Sequence, residues 1–287
     1  MIRWCAYCQS FMGESPPFCD YGLTHGVCDQ CLPLFERDDD FGFERIESLK
    51  RFHDALRHAG ENEDVEAAMA LIEEARHLGV RPSDLLVGLI APILYEVGSM
   101  WEERKISVAQ EHRFTRFYEA VVKRVTEEAR SVVPFRPRTP AHEAPTSALD
   151  VMLIQPRSNK HVLGLKLLEH WLWDHGVTAM VVSLAHPVSL EDLLRRLRPR
   201  WVGISVSLPE QMPEVTALVE LVTRENPDIR VLLGGQAVKA GLVEAPPPAI
   251  AEPDPNALLA FIRGGVDQGE DEDERRSDTT GGADDRQ

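Results

Sequence analysis

The chain has 287 residues, 43% of them hydrophobic, with 47 acidic side chains against 31 basic ones and a formal net charge of −16. That length suits about two domains with a small extra module, and the apolar share is enough for buried cores. The charge excludes broad phosphate-backbone binding, which needs clustered Lys and Arg. No unbroken apolar run reaches the roughly 18 residues that span a bilayer, and Met1-Ile2-Arg3-Trp4-Cys5 lacks a signal-peptide core, so a cytoplasmic protein with no membrane partner is expected.

All five cysteines fall in the first 31 residues, and four form two C-x-x-C pairs, Cys5/Cys8 and Cys28/Cys31, separated by 19 residues. In a reducing compartment such pairs read as a metal site rather than as disulfides. Two knuckles brought together by a loop offer zinc a tetrahedron of thiolates. Residues 1–36 are therefore expected to form a zinc-ribbon-like module with structural zinc on Cys5, Cys8, Cys28 and Cys31. Cys19 reads as a small buried apolar residue, and His25 as a residue that orients the second knuckle. Asp38-Asp39-Asp40-Phe41-Gly42 reads as a short linker.

Residues 44–133 have helical periodicity. Ile46, Leu49, Phe52 and Leu56 make one stripe, and Val65, Ala68, Met69, Ile72 and Leu78 a second. Gly79 suits the C′ position that ends a helix. Arg81-Pro82-Ser83-Asp84 opens a third helix carrying Leu85, Leu89, Ile93, Leu94 and Val97, with a kink or break expected at Pro92. A fourth runs from about Ser107 to Val132, with Val108, His112, Thr115, Tyr118 and Val122 along it. Four helices with short connections predict an antiparallel bundle. Residues 134–148, rich in proline and small side chains, read as a stiffened linker.

From Asp150 strands and helices alternate. Strands are expected at 151–155, 179–184, 201–207 and 230–233, with a weak fifth in Pro247-Pro248-Ala249-Ile250-Ala251. Helices are expected at 161–174, 190–197 and 214–224, with a closing one at 256–262. This alternation predicts a parallel sheet covered on both faces over 149–264. The acidic, apolar-poor tail, 265–287, is expected to be disordered.

Three motifs carry chemistry. Asn159-Lys160-His161-Val162-Leu163-Gly164 follows the first strand, where open parallel sheets bind ligands, and imidazole is a common metal ligand. Trp101 is followed by Glu111-His112 in a W-x9-E-H pattern. Ser205 and Ser207 end the third strand and Gly234-Gly235 the fourth. The loop resembles the D-x-H-x-x-G signature of cobalamin-binding domains, whose histidine reaches cobalt from below. W-x9-E-H resembles the helical cap of cobalamin-dependent photoreceptor regulators, whose tryptophan covers the upper face of the corrin. Together the order resembles the cap-plus-cobalamin module of methionine synthase, corrinoid methyl carriers and light-sensing repressors. The first 31 residues resemble a short cysteine module of some bacterial sensors.

The resemblance implies a four-helix bundle cap, then a flavodoxin- or Rossmann-like cobalamin domain. It implies corrinoid contacts from His161, Asn159, Gly164, Ser205, Ser207, Gly234, Gly235, Trp101, Glu111 and His112, with cobalt on His161. Asn159 stands where relatives carry a carboxylate that hydrogen-bonds the histidine's far side, so weaker ligation is expected, tightened by Asn159→Asp. Ser207 stands where the S-x-L pattern has leucine. Glu102 follows the tryptophan where some light sensors have a histidine. The expected function is a sensor holding adenosylcobalamin and signalling light or cobalamin state to a protein partner or by self-association. The alternative is a corrinoid carrier for methyl transfer. A haem or another tetrapyrrole on His161 stays open. Direct DNA binding is not expected, since only Arg3 and Arg37 lie in or beside the cysteine module.

Overall fold

The computed structural model describes residues 1–35, 43–132 and 149–264. The expected linkers at 38–42 and 134–148 and the acidic tail lie outside the described residues.

Three short strands open the chain: β1 (Ile2–Cys5), β2 (Phe11–Glu14) and β3 (Leu23–Gly26). They form a sheet in the order β2-β1-β3, with β1 antiparallel to β2 and parallel to β3. The short helix α1 (Leu32–Phe35) leaves the second cysteine knuckle.

Four long helices follow: α2 (Phe43–Glu61), α3 (Val65–His77), α4 (Pro82–Glu102) and α5 (Val108–Val132). Asp64 caps α3 by accepting from the Ala67 N–H. Gly79, at φ +91°, lies just beyond its end. The helices pack α2 on α3 and α5, and α5 on α3 and α4. Leu49, Phe52, Leu56, Ala68, Ile72, Leu85, Leu89, Ile93, Tyr118 and Val122 are buried. Leu78 and Val108 depart from their expected stripes and are about half exposed; each lies at or just past a helix end, where the stripe no longer faces a neighbour.

Pro92 does not end α4, but the regular α-helical ladder is interrupted directly before it. The helix widens to a π turn over Leu86–Ile90, and the Ala91 N–H bonds to the Leu86 carbonyl five residues back. A wide turn relieves the pressure of the proline ring on the carbonyl four residues before it. By length and composition α4 could cross a membrane, but about two thirds of its apolar window is buried inside the protein, as in the core helix of a globular fold.

Residues 149–264 alternate β4 (Val151–Gln155), α6 (Leu163–Asp174), β5 (Ala179–Ser183), α7 (Leu190–Leu197), β6 (Trp201–Ser205), α8 (Met212–Glu225), β7 (Arg230–Gly234), α9 (Gln236–Lys239) and β8 (Ile250–Ala251), then a helix over 255–264, α10. All neighbours are parallel, in the order β5-β4-β6-β7-β8. The weak fifth strand is present but only two residues long. β4 is buried at every position, as a central parallel strand must be. The order reverses between β4 and β6, so the loops after these strands flank the crevice where such sheets take ligands.

The N-terminal sheet is not the separate module its sequence suggests. Ile2, Trp4 and Phe11 belong to one core with the four helices, α6 and α10. Asp84 of α4 ties three layers together: its carboxylate accepts from the Phe11 N–H at 3.2 Å, from Arg81 at 2.9 Å and from the Trp171 indole of α6 at 3.1 Å. Burial pushes its carboxyl up from the usual range, while these partners pull it back. A second core fills the other face of the parallel sheet, under α7 and α8.

Candidate functional site

The loop after β4 is held from beneath by Asn159, which is fully buried. Its carboxamide oxygen accepts from the His161 backbone N–H at 2.9 Å and from the Ser207 hydroxyl at 3.1 Å. Its amide nitrogen donates to the Ser205 carbonyl and hydroxyl oxygens, both at 3.2 Å. Gln155 donates to the Asn159 carbonyl at 2.9 Å. Glu214 of α8 accepts from the backbone N–H groups of Arg157 and Ser158. Burial alone would raise the Glu214 carboxyl, but these bonds outweigh it and hold it below its ordinary value.

This arrangement corrects the expectation for Asn159. Its side chain binds the backbone of His161 rather than the ring and does not face the cleft. The clamp needs one donor and one acceptor on the same group, which an amide supplies and a carboxylate does not. His161 itself is exposed at the rim.

Across from His161 stand the end of α4 and the start of α5. Trp101 is 39% exposed. Glu111 accepts from Thr115 at 2.8 Å and lies 3.5 Å from His112. The cleft between the layers measures about 380 Å³ and is lined by Trp101, Glu111, His112, His161, Gly164, Ser205, Ser207 and Gly235 together. Eight of the residues singled out by sequence thus meet in one cavity. Gly235 has φ +103°, and a Cβ there would lie 2.6 Å from the Val206 carbonyl oxygen, so glycine is obligatory.

Gly234 lines a neighbouring slot of about 110 Å³ instead, which shares Tyr95, Gly164, Leu167, Ser205 and Gly235 with the cleft. Leu153, Gly203, Leu232, Leu233, Glu14, Lys239 and Asp254 also line it. Sequence reasoning missed Gly203, Tyr95, Glu14, Lys239 and Asp254. Gly203 left a signal, since a glycine inside a buried strand marks a close approach. Glu14 pairs with Lys239, both side chains almost wholly buried. Burial pushes the Glu14 carboxyl up, and the Lys239 ammonium opposes that.

The Sγ atoms of Cys5, Cys8, Cys28 and Cys31 all lie within 4.8 Å of one another, and those of Cys8 and Cys28 are 3.7 Å apart. Tetrahedral zinc with Zn–S of about 2.3 Å requires S···S separations of roughly 3.8 Å, so the donor set fits. Burial would raise the Cys5 thiol, but hydrogen bonds from the Cys28, Cys8 and Tyr7 backbone outweigh it and bring it to about 7. Cys31 is pushed strongly up by burial and the neighbouring thiols. Cys19 is exposed rather than buried. His25 is not among the four clustered groups; its Nε2 is buried without a hydrogen-bond partner among the described residues, and burial lowers its basicity.

Residues 53–126 and 149–247 each match a family model described as a B12 binding domain. The chain is a B12-binding protein. The two B12-binding segments correspond to the helical wall and the parallel-sheet wall of the cleft. Among solved structures, the monomethylamine corrinoid protein of Methanosarcina barkeri matches at 19% identity with a TM-score of 0.55, over 76% of this chain and 99% of that one. That likeness supports the fold. Two others match at a TM-score of 0.35: the methanol:cobalamin methyltransferase complex MtaBC of Methanosarcina barkeri, at 15% identity over 75% of this chain and 80% of that one, and a cobalamin-binding protein of Desulfitobacterium hafniense DCB-2, at 12% identity over 74% and 97%. No curated protein matches the sequence.

Proposed function

We propose that this B12-binding protein is a sensor that holds adenosylcobalamin between its helical and parallel-sheet layers and signals a change at the cofactor to a protein partner. One observation carries the reading: Trp101, Glu111 and His112 of one wall share a single cleft with His161, Ser205 and Gly235 of the other. His161, on a loop braced by Asn159, is placed to ligate cobalt from the sheet side. Trp101 offers a large rigid apolar face on the opposite wall, suited to keeping water from the upper ligand. Glu111 and His112 offer hydrogen bonds to that ligand. The slot beside the cleft, floored by Gly203 and Gly234, would receive the lower nucleotide that His161 displaces. Bound adenosylcobalamin supplies a cobalt–carbon bond that light can break.

The four cysteines would hold one structural zinc, which fixes the N-terminal sheet against both layers. Loss of the upper ligand shifts the protein only if the two arrangements of the helical wall bind the cofactor differently, and Trp101 is the residue placed to sense that difference.

The test is reconstitution with adenosylcobalamin in the dark, then illumination, with absorbance and hydrodynamic size recorded. A spectral change accompanied by a change in size is expected. His161→Ala should abolish the histidine-ligated spectrum, and Trp101→Ala should speed loss of the upper ligand in the light. Absence of any corrinoid uptake would refute the reading. A second reading, a corrinoid carrier for methyl transfer, is favoured by the fold match that spans nearly the whole monomethylamine corrinoid protein. Stable methylated cobalt formed with a methyltransferase, and no light response, would select it.

A further inference from the structure

The slot is built partly from outside both B12-binding segments. Glu14 comes from β2 of the cysteine module, and Asp254 from the stretch before α10; both fall outside 53–126 and 149–247. The Glu14 side chain is 4% exposed. One of its oxygens, Oε1, receives the Lys239 ammonium. The other, Oε2, is buried and has no hydrogen-bond partner among the described residues. The Glu14 backbone N–H donates to Asp254 Oδ1 at 2.9 Å, and the Lys239 Nζ lies 4.9 Å from the centre of the Tyr95 ring. The ion pair therefore accounts for one carboxylate oxygen and leaves the second without a donor. A buried acceptor in that condition bears its full desolvation cost until a donor arrives.

The chemistry of the missing donor follows from the slot. If His161 held the cobalt, the corrinoid's lower base would have to lie elsewhere, and the slot adjoins the cleft, sharing Tyr95, Gly164, Ser205 and Gly235 with it. Apolar side walls of Leu153, Leu232 and Leu233 suit a flat aromatic base. Glu14, Glu252 and Asp254 in the lining, against one lysine, disfavour the nucleotide's phosphate beside them and favour a group that carries N–H or O–H.

We propose that Glu14 selects the lower base: the slot takes a corrinoid whose base carries a hydrogen-bond donor on its distal edge, such as adenine or a hydroxybenzimidazole, in preference to 5,6-dimethylbenzimidazole, which presents only methyl groups. This rests on the B12 reading above. The cysteine module then contributes directly to the cofactor site as well as to the core.

The test uses the full chain and four corrinoids: cobalamin, its adenine-based and 5-hydroxybenzimidazole-based counterparts, and cobinamide, which has no base. Affinities are measured by equilibrium dialysis. The donor-bearing pair should bind about ten- to a hundredfold tighter than cobalamin, the worth of one hydrogen bond to a charged group. Glu14→Leu combined with Lys239→Leu removes both charges and should bring the ratio to about one while binding persists. Should that double variant not fold, the ratio for the unaltered chain decides alone. Equal affinities for the three based corrinoids, cobinamide binding as well as any of them, or a preference that survives in the double variant would each overturn the inference alone. Failure of every corrinoid to bind would overturn the B12 reading and this inference with it.

Discussion

Replacing Asn159 by Asp isolates what holds the His161 loop. The amide donates to two oxygens of Ser205 and accepts from Ser207 and the His161 N–H, with no solvent exposure. An aspartate keeps both acceptor bonds, and the Ser205 hydroxyl can turn to donate to it. It cannot donate to the Ser205 carbonyl, so two oxygens would face each other where the amide bond was 3.2 Å. The lost bond leaves a buried carbonyl unsatisfied, worth about 1–3 kcal/mol, and a charge without a cationic partner adds to it. The expected total is about 2–4 kcal/mol, which lowers the melting temperature by roughly 5–15 °C for a protein of this size. The protonated acid can donate to the carbonyl, so the folded-state pKa of the introduced carboxyl rises above its unfolded value of about 4. The penalty is therefore full above the folded value and disappears below the unfolded one. Thermal melts of both proteins, followed by circular dichroism from neutral pH down to about pH 4, should show the difference shrinking as pH falls. An unchanged melting temperature at neutral pH, or a gap that widens on acidification, would refute the reasoning. Because Asn159 does not touch the imidazole ring, the substitution should not tighten cobalt ligation.

Two further outcomes follow from the packing. Gly88→Ala places a methyl 2.4 Å from the Trp4 ring and 2.9 Å from Phe11, both in the core; the overpacking costs about 1–3 kcal/mol despite a helix-propensity gain of about 1 kcal/mol, and an unaltered melt would disprove the close fit of sheet to helix. Treatment with a strong chelator should release one zinc per chain and red-shift tryptophan emission as Trp4 loses its enclosure; release of less than half an equivalent from freshly purified protein would remove the zinc assignment.

Much of this architecture was legible because its signals are local. The change from helical periodicity to strand–helix alternation at Asp150 located the parallel sheet, and Gly79 marked the end of α3. The cysteine spacing anticipated four sulfur atoms in one place. The cleft residues were named through their resemblance to the cobalamin-binding pattern, and eight of those ten line one cavity. What stayed hidden depends on contacts distant in sequence. Trp4 and Phe11 occupy four-residue strands too short to reveal a buried face, so their insertion beside α4 could not be read. Glu14 gave no sign that it reaches Lys239 and Asp254. Asn159 was misread because a motif position fixes where a residue sits and not which atoms it serves.

The bond between Glu14 and Asp254 spans 240 positions. The opening strands find partners at several distances along the sequence: Gly88 of α4 against Trp4 and Phe11, Trp171 of α6 against Phe11, and Lys239 and Asp254 against Glu14. Trp4 and Phe11 can be covered once α4 packs on them, but the Glu14 carboxylate and backbone N–H stay unpaired until Lys239 and Asp254, 225 and 240 positions further on, are in place. Long-range closure of this kind is slow, so the buried ion pair should be among the last contacts to form, after the cores around it have begun to pack.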